Sequence, residues 1–356
     1  MLENMKENTQ SEQTLPVVSP NEQPIDCTYK IYTLGQLYTM DFKPIEWFLR
    51  PFVQDSSINL VYAERGAGKT FLLISMAMAI ASGWEFLRFK ADKPRKVLYV
   101  DGEMDHREML QRFKLLENGF KIEGKTVNHE NLHMFLYGLQ GDNPMPDISK
   151  QEDWKKIDDE IEKTGAEVII MDNISCLYTV FKENESGAWK FFNMWSLRHR
   201  RKGRAIIWVH HTGKDKNRGP RGSSSIELHI NNSLFLSVPY DHEAGDGAVF
   251  EAEYTKNRGQ TGDIMAPFRA QLYGEANLPE YMGGGWLRWK LGKRKKELDI
   301  ETVKKAREEG KTFEEIEELY GIPRSTAQNW VGKGSGKKKE KKKEDTNTQE
   351  QSLATE

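Results

Sequence analysis

The sequence predicts an α/β fold, in which a mainly parallel sheet is covered by helices on both faces, followed by a small all-α unit. Three observations predict this fold. Short apolar segments alternate with longer segments of helical periodicity, as expected of buried parallel strands and their covering helices. A glycine-rich stretch joins the first of these strands to a long apolar helix. After residue 292 the composition becomes basic and three short helical patterns follow.

The elements are predicted in order along the chain. Ordered structure is expected to start near Ile31, with an apolar group at 47–52 that packs on the first strand. The strands of the α/β part are predicted at 58–62, 96–103, 132–137, 166–172 and 205–211, and its helices at 71–80, 108–118, 154–163 and 187–202. Three further strands, near 234–238, 249–255 and 286–289, are interpreted as an antiparallel extension. A basic hinge at 293–296 precedes helices at 298–308, 313–320 and 323–331.

Four regions follow from these patterns. Residues 1–28 and 332–356 are polar or charged with no apolar periodicity, so we expect disordered tails there. Between them we predict an α/β domain at 29–292 and an all-α domain at 293–331.

Composition narrows the classes of protein. The formal net charge of −2 does not by itself indicate nucleic acid as a partner. Cys27 and Cys176 are far apart without metal-ligand spacing, which favours a reducing compartment over a disulfide framework. The N-terminus has no apolar signal segment, and the longest apolar stretch, 71–81, is too short to span a bilayer. We therefore expect a cytoplasmic protein with no membrane association.

The glycine-rich stretch at residues 63–70, AERGAGKT, has the strand–loop–helix context of a phosphate-binding P-loop. Backbone N–H groups of such a loop and the following helix N-terminus attract phosphate oxygens. Lys69 would reach the β- and γ-phosphates of ATP and Thr70 would ligate Mg²⁺. The alternative is a glycine turn without a ligand. Ala63 stands where the first glycine is usual, so the turn must be made without a positive φ there. The predicted nucleotide-binding residues are Glu64, Arg65, Gly66, Ala67, Gly68, Lys69, Thr70 and Phe71.

Two acids end predicted strands and would lie beside this loop. Asp172 ends VIIMD, where a Walker-B acid orients Mg²⁺, although a solvated strand-end Asp is the structural alternative. Glu103 follows KVLYVDG and is placed to accept a proton from the attacking water. Its alternative is a glutamate that only favours a helix N-terminus.

His210 and His211 end the strand AIIWVHH. Because side chains alternate along a strand, one of them is expected to face the γ-phosphate. Which of the two does so stays open, and a purely structural role is the alternative.

The order of the P-loop, DGEM, VIIMDN, VHHTGK, RGSSSIE and KNRG resembles the RecA-type ATPase core of RepA-like and DnaB-like hexameric replicative helicases, over residues 31–292. The resemblance implies a ring-forming motor that translocates on single-stranded DNA. It implies that Glu103 is the catalytic glutamate, Asp172 the Walker-B acid and His211 the γ-phosphate sensor. Lys256 and Arg258 match the pair that enters the neighbouring subunit's site as an arginine finger. Without the resemblance, the alternative interpretation of Arg258 is a surface cation on a hairpin.

The sequence departs from these relatives between residues 226 and 232. Asn231 and Asn232 stand in a segment where relatives often carry an Asp. This departure leaves the link between the preceding loop and the active site open, and it does not affect the phosphate chemistry.

A cationic loop follows the strand of the two histidines. It holds four cations and no apolar side chain, so it cannot be core. In a RecA-like ring it would project into the channel and contact DNA phosphates. The alternative is a solvated loop. The predicted contacts are Lys214, Lys216, Arg218 and Arg221. In a second candidate loop, 175–186, Tyr178 and Phe181 could stack on bases or pack inside.

The C-terminal helices have helix-turn-helix spacing, with Ile316, Leu319, Ile322 and Val331 as apolar contacts and Gly321 in the turn. The run GIPRSTAQNW resembles resolvase-like helix-turn-helix domains, with Pro323 opening the second helix and Glu317 departing from the usual small residue. The resemblance implies that Arg324, Ser325, Thr326, Gln328 and Asn329 face duplex DNA. A trihelical protein-binding module is the alternative.

Together these features predict an ATP- and Mg²⁺-dependent DNA motor, a homohexameric replicative helicase of a mobile element. Two rival hypotheses stay open. One is a DNA-binding ATPase without helicase activity that mediates or regulates recombination. The other is a P-loop kinase with an adaptor domain, against which the cationic loop and the Lys256/Arg258 pair argue.

Overall fold

The computed structural model describes residues 29–179, 189–212, 228–239, 242, 247–278 and 284–332. Contacts divide the chain into a unit up to Pro44 and a unit from Ile45 onward. The first unit contains α1 (Leu34–Thr39). Thr33 Oγ1 accepts from the Gln36 N–H at 3.2 Å, and Gln36 Oε1 accepts from the Thr33 N–H at 2.8 Å, which closes the helix N-terminus.

The second unit contains the remaining strands and helices. The strands are β1 (Trp47–Leu49), β2 (Val53–Gln54), β3 (Ile58–Ala63), β4 (Glu85–Phe86), β5 (Phe89–Lys90), β6 (Val97–Asp101), β7 (Leu132–Leu136), β8 (Val168–Asp172), β9 (Ala205–His211), β10 (Asn232–Ser237), β11 (Val249–Lys256), β12 (Phe268–Glu275) and β13 (Trp286–Gly292). The helices are α2 (Lys69–Ser82), α3 (His106–Ile122), α4 (Trp154–Thr164), α5 (Ile174–Leu177), α6 (Lys190–Arg201), α7 (Lys295–Glu308), α8 (Phe313–Tyr320) and α9 (Arg324–Gly332). No helix of the described residues is long and apolar enough to cross a membrane.

Among the described residues, nine strands form one sheet in the order β13-β12-β11-β10-β3-β9-β8-β6-β7. The six strands from β10 to β7 are parallel, and β11, β12 and β13 are antiparallel. This mixed α/β architecture with a mostly parallel sheet is the fold class that the sequence predicts. Strand β10, which was predicted to belong to the antiparallel extension, pairs antiparallel with β11 as expected but in parallel with β3. The prediction also missed β12, in which Arg269 and Gln271 alternate with buried apolar residues.

Helices cover both faces of this sheet. On one face, α2 is buried along nearly its whole length, in keeping with its apolar sequence, and packs in the larger core cluster. On the other face, α4, α5 and α6 bury an aromatic-rich cluster that includes Trp189, Trp195 and Trp208. Burial on both faces explains why β3, β6 and β8 are apolar at almost every position.

The register aligns the carboxyl ends of the central strands. Ala63 at the end of β3 pairs with His211 at the end of β9. Asp101 at the end of β6 pairs with Asp172 at the end of β8. The loop after β3 and the polar residues that end the neighbouring strands therefore lie at one edge of the sheet, as the sequence predicts.

The last three helices share a small apolar cluster of their own. Its buried members are Val303, Ala306, Ile316, Ile322 and Ala327. Gly321, with φ of 64°, ends α8 in the left-handed conformation that the turn needs.

Three details of this C-terminal part differ from prediction. Leu319 is 60% exposed and is not a core contact. The first helix begins at Lys295, so half of the predicted hinge is helical. Gly332, assigned to the tail, ends α9. The rest of the predicted tails, 1–28 and 333–356, lies outside the described residues.

Candidate nucleotide-binding site

The loop between β3 and α2 makes its turn with two glycines. Gly66 has φ of 80° and Gly68 has φ of 88°, conformations that residues with a Cβ rarely adopt. Ala63 is the buried last residue of β3, so its position needs no positive φ. The missing first glycine is therefore no obstacle, because the chain leaves the strand in an extended conformation and turns later.

Lys69 lies at the first position of α2 and is largely buried. Its Nζ donates to the carbonyls of Ala63 at 3.1 Å and Glu64 at 2.7 Å. Burial lowers the pKa of Lys69 to about 8, although the carboxylates of Asp172 and Glu103 favour the charged form. An anionic phosphate is a better partner for this ammonium than two neutral carbonyls.

Two buried carboxylates end neighbouring strands beside the loop. Asp172 accepts a hydrogen bond from the Tyr99 hydroxyl at 2.7 Å, and burial raises its pKa to about 6. Asp101 accepts from the Met104 N–H at 2.9 Å, and burial raises its pKa to about 7. Asp172 was predicted. Asp101 and Tyr99 were not, although Asp101 stands in the same DGE run as Glu103.

Glu103, Asn173 and His211 come together at the same edge. Asn173 Nδ2 donates to a carboxylate oxygen of Glu103 and lies 3.5 Å from His211 Nε2. His211 Nε2 is 3.8 Å from Glu103 Oε2. Burial and the nearby Lys69 lower the pKa of His211, which favours its neutral form at physiological pH. Asn173 was missed by sequence reasoning, and only its place directly after the strand-end Asp172 marks it.

The two histidines point to different surroundings. His210 is fully buried, and its ring meets the edge of Trp189 at 6.2 Å between centroids. His211 is only half-buried and lines the cleft beside the loop. The alternation along β9 therefore leaves His211 as the histidine that faces this cleft.

The cleft has a volume of about 580 Å³ and is bounded by the loop and the strand ends. Of the predicted site residues, those lining it are Arg65, Gly66, Gly68, Lys69, Thr70, Phe71, Glu103, Asp172 and His211. Glu64 and Ala67 belong to the loop without lining the cleft. The Arg112 guanidinium lies 4.7 Å from the centroid of the Phe71 ring at the cleft wall and was not predicted.

The residues at the base of the cleft fit a magnesium ion held together with phosphates. The Thr70 hydroxyl hydrogen-bonds the buried Asp172 carboxylate, so two oxygen donors that Mg²⁺ prefers are adjacent. Within the described part of the chain, no group of three or more His, Cys, Asp or Glu side chains forms a metal site. This donor set suits Mg²⁺, which is usually bound by one or two protein oxygens, substrate phosphates and water.

Lys256 and Arg258 lie at the opposite edge of the sheet from the cleft. Strand β11 runs antiparallel to β10, so Lys256 at its end pairs with Ser233 near the start of β10. The Arg258 N–H donates to Asn232 Oδ1 at 3.2 Å, and its guanidinium donates to the Leu228 carbonyl at 3.2 Å. The Arg258 side chain is exposed. Neither cation lines the cleft of its own chain.

The amides that depart from relatives have structural partners at this opposite edge. Asn231 Oδ1 accepts from the Ile58 N–H at 3.0 Å. Asn232 Nδ2 donates to the Phe52 carbonyl at 2.8 Å and to Asn59 Oδ1 at 3.2 Å. Both side chains thus tie the start of β10 to the start of β3.

The predicted DNA-facing residues divide between described and undescribed parts of the chain. Lys214, Lys216, Arg218 and Arg221 lie outside the described residues, as does Phe181. Tyr178 is buried and stacks on Trp189 with 5.4 Å between ring centroids. It therefore packs inside the protein, which was one of the two roles considered for it. In α9, Arg324, Ser325, Gln328 and Asn329 are exposed and Thr326 is half-buried.

Comparisons with known proteins match one family model and the folds of many solved structures. A model of the AAA domain family matches residues 33–217, more than half of the chain. No curated protein matches this chain. Among solved structures, the KaiC-like protein PH0186 from the hyperthermophilic archaeon Pyrococcus horikoshii OT3 is similar over 67% of this chain and 93% of that chain, with 12% identity and a TM-score of 0.43. That similarity is too remote to carry an argument about activity.

Proposed function

This chain belongs to the AAA domain family, and from that premise we propose that its P-loop ATPase core drives a ring-shaped motor along single-stranded DNA. We assign the motor to the replicative helicases of mobile elements. The observation that carries the proposal is the separation of two half-sites. The loop, Glu103, Asp172 and His211 surround one cleft, while Arg258 stands at the opposite edge of the sheet.

The proposed chemistry uses the groups that surround the cleft. Loop N–H groups and Lys69 bind the phosphates of ATP, and Thr70 and Asp172 hold Mg²⁺. When held there, Mg²⁺ would neutralise charge on the phosphates. Glu103 accepts a proton from the attacking water, and neutral His211 hydrogen-bonds the γ-phosphate and responds to its loss.

Arg258 is proposed to complete a neighbouring subunit's site. The Arg258 N–H donates to the side chain of Asn232. In the sheet, Asn232 is paired with Asn59, which lies four residues before the end of β3. Four steps of a strand span about 13 Å, so the guanidinium stands away from its own P-loop. A cation of this kind acts on transition-state charge only at direct contact. The geometry thus favours action on a second copy and supports a closed homo-oligomer, for which we propose six subunits.

Strand displacement is the experiment that tests the motor. On a duplex with a single-stranded tail, the full-length protein should separate the strands with ATP and fail with a non-hydrolysable analogue. The Lys69→Ala variant should neither hydrolyse ATP nor displace strands, because it loses the phosphate-binding ammonium. Hydrolysis stimulated by DNA without displacement would favour a recombination mediator or regulator. Persistent turnover by Lys69→Ala would locate the nucleotide site elsewhere.

The three C-terminal helices are proposed to hold the motor on duplex DNA. In α9 the buried Ala327 faces the small core, and Gln328 and Asn329 are exposed. This arrangement leaves amide side chains free to contact base edges, as a recognition helix requires.

A matched pair of variants tests this second proposal. The double change Gln328→Ala/Asn329→Ala should weaken duplex binding about tenfold, since a good base contact contributes about 1–3 kcal/mol. Glu318→Ala, an exposed change on α8, is the control and should not weaken it. Basal ATPase should be unchanged in both variants. Unaltered duplex affinity in the double variant would refute the role of α9 in reading DNA.

A further inference from the structure

The carboxylate of Glu103 extends from the loop after β6 and is 56% exposed. A catalytic base in such a position needs a partner that fixes its direction. The side chains that meet it at the cleft edge are Asn173, which donates a hydrogen bond from Nδ2, and His211, with Nε2 at 3.8 Å.

Asn173 is itself held firmly. It directly follows β8 and is 2% exposed. Its carbonyl accepts from the Cys176 N–H at 3.1 Å and the Leu177 N–H at 3.2 Å, which fixes its backbone at the start of α5. The Asn173 side chain therefore projects from a rigid strand end, whereas Glu103 projects from a loop.

We infer that Asn173 is the positioning residue that aims Glu103 at the attacking water and links its position to that of His211. The amide nitrogen carries two protons, so before phosphate binds it can donate to Glu103 and to His211 Nε2 at the same time, and the bond to His211 is given up when that ring turns to donate to the γ-phosphate. A displacement of His211 when the γ-phosphate arrives or leaves is then transmitted to the base through one side chain. The inference rests on the proposed function, since it takes Glu103 as the base and His211 as the phosphate contact.

The amide side chain of Asn173 has the chemistry that positioning a catalytic base requires. A carboxylate at position 173 would repel Glu103 instead of donating to it, and an aliphatic side chain would donate nothing. A longer cation would neutralise the base. An amide donates without adding charge, which leaves Glu103 ionised and able to accept a proton.

Asn173→Asp is the sharpest test because it keeps the shape of the buried side chain and replaces the amide donor with a carboxylate that repels Glu103. A positioned general base contributes about 10²–10⁴ in rate, so misdirecting it should lower kcat by about 10- to 100-fold. The affinity for ATP, measured with a fluorescent analogue, should stay within about twofold, because Asn173 is not proposed to contact phosphate. Asn173→Ser, which restores a hydroxyl donor on a shorter arm, should recover part of kcat.

Asn131→Asp is the matched control. Asn131 Nδ2 donates to the Ala81 carbonyl at 3.0 Å, away from the cleft, so the same change there should leave kcat unaltered. A thermal melt of each variant shows whether the fold is retained. If Asn173→Asp folds and turns over like wild type, the inference is overturned.

A double-mutant cycle tests the link to His211. If Asn173 and His211 act as one unit, the loss of kcat in Asn173→Asp/His211→Ala should be smaller than the product of the two single losses. A fully multiplicative loss would overturn the link. Glu103→Gln separates this inference from the proposed function. Normal turnover by Glu103→Gln would refute the base assignment, whereas an inactive Glu103→Gln beside a fully active Asn173→Asp would refute the inference alone.

Discussion

Gly68 shows how one residue decides whether the P-loop can form. Its φ of 88° lies in the left-handed region, and a Cβ built on it would stand 2.8 Å from the Ala248 Cβ. Both the backbone conformation and the space therefore require glycine here. Ala63, where the sequence lacks a glycine, has a side chain that is buried in the core.

Gly68→Ala and Ala63→Gly should have opposite consequences. Gly68→Ala forces strain of about 1–3 kcal/mol into the loop, so we expect ATP affinity to fall by about tenfold or more. Ala63→Gly should leave ATP affinity unchanged and cost about 0.5–1 kcal/mol of unfolding free energy, because it loosens a strand. Equilibrium binding of ATP and urea unfolding measure the two effects. Equal affinities for Gly68→Ala and wild type would contradict this account of the loop.

Single residues differ in how far the sequence reveals them. Asp172 and His211 could be predicted to lie near the loop because each ends an apolar segment, and parallel strands bring their ends to one edge. Asn173 could not, since an amide after a strand is common and its importance comes from Glu103, 70 positions away. Contacts between residues distant in sequence leave no local pattern to read.

The same difference holds for whole elements. The central strands β3, β6, β8 and β9 were predictable because burial on both faces makes them continuously apolar. The direction in which β10 pairs was not, since a six-residue segment shows burial but not direction. Its place beside β3 depends on the hydrogen bonds of Asn231 and Asn232 to residues before and within that strand.

Helices α4 and α6 are joined by one buried acid. Asp158 on α4 accepts from Trp195 Nε1 at 2.9 Å and meets His199 Nε2 at 2.8 Å, both on α6. Burial alone would raise the pKa of Asp158, but the hydrogen bond and charge of His199 and the charge of Arg198 outweigh it and hold the pKa below its usual value. These two contacts hold α4 to α6 within the aromatic-rich cluster on this face of the sheet.

Asp158→Ala should destabilise the protein by about 3 kcal/mol, because it leaves buried donors of α6 without their acceptor. A folded pKa below the unfolded one means that this stability is present above about pH 4 and is lost as the pH falls through the folded pKa. The difference in urea midpoint between wild type and variant should therefore narrow below about pH 4.

Asp159→Ala is the adjacent control for that experiment. The Asp159 side chain is 48% exposed and pairs with Lys155 at 2.7 Å, so its loss should change the unfolding free energy by less than about 0.5 kcal/mol. If Asp158→Ala and Asp159→Ala destabilise equally, the buried pair is not what holds α4 to α6.

At the scale of the whole molecule, the antiparallel strand β11 separates the cleft from Arg258. Because β11 reverses direction after β10, its end returns to the edge at which the parallel strands begin. A chain that keeps its phosphate-binding groups and this arginine at opposite edges is suited to meet copies of itself head to tail.

Two inactive variants should therefore restore each other. Arg258→Ala keeps its own cleft and should lose about 10³–10⁵ in rate, whereas Lys69→Ala keeps Arg258 and loses phosphate binding. In mixed rings, an Arg258→Ala cleft beside a Lys69→Ala neighbour receives that neighbour's intact Arg258, so turnover should appear that neither variant shows alone. Arg201→Ala, which removes an exposed cation of α6, should retain activity without mixing. A mixture as inactive as its components would leave Arg258 without a role in a neighbour's site, and the head-to-tail ring would lose its support.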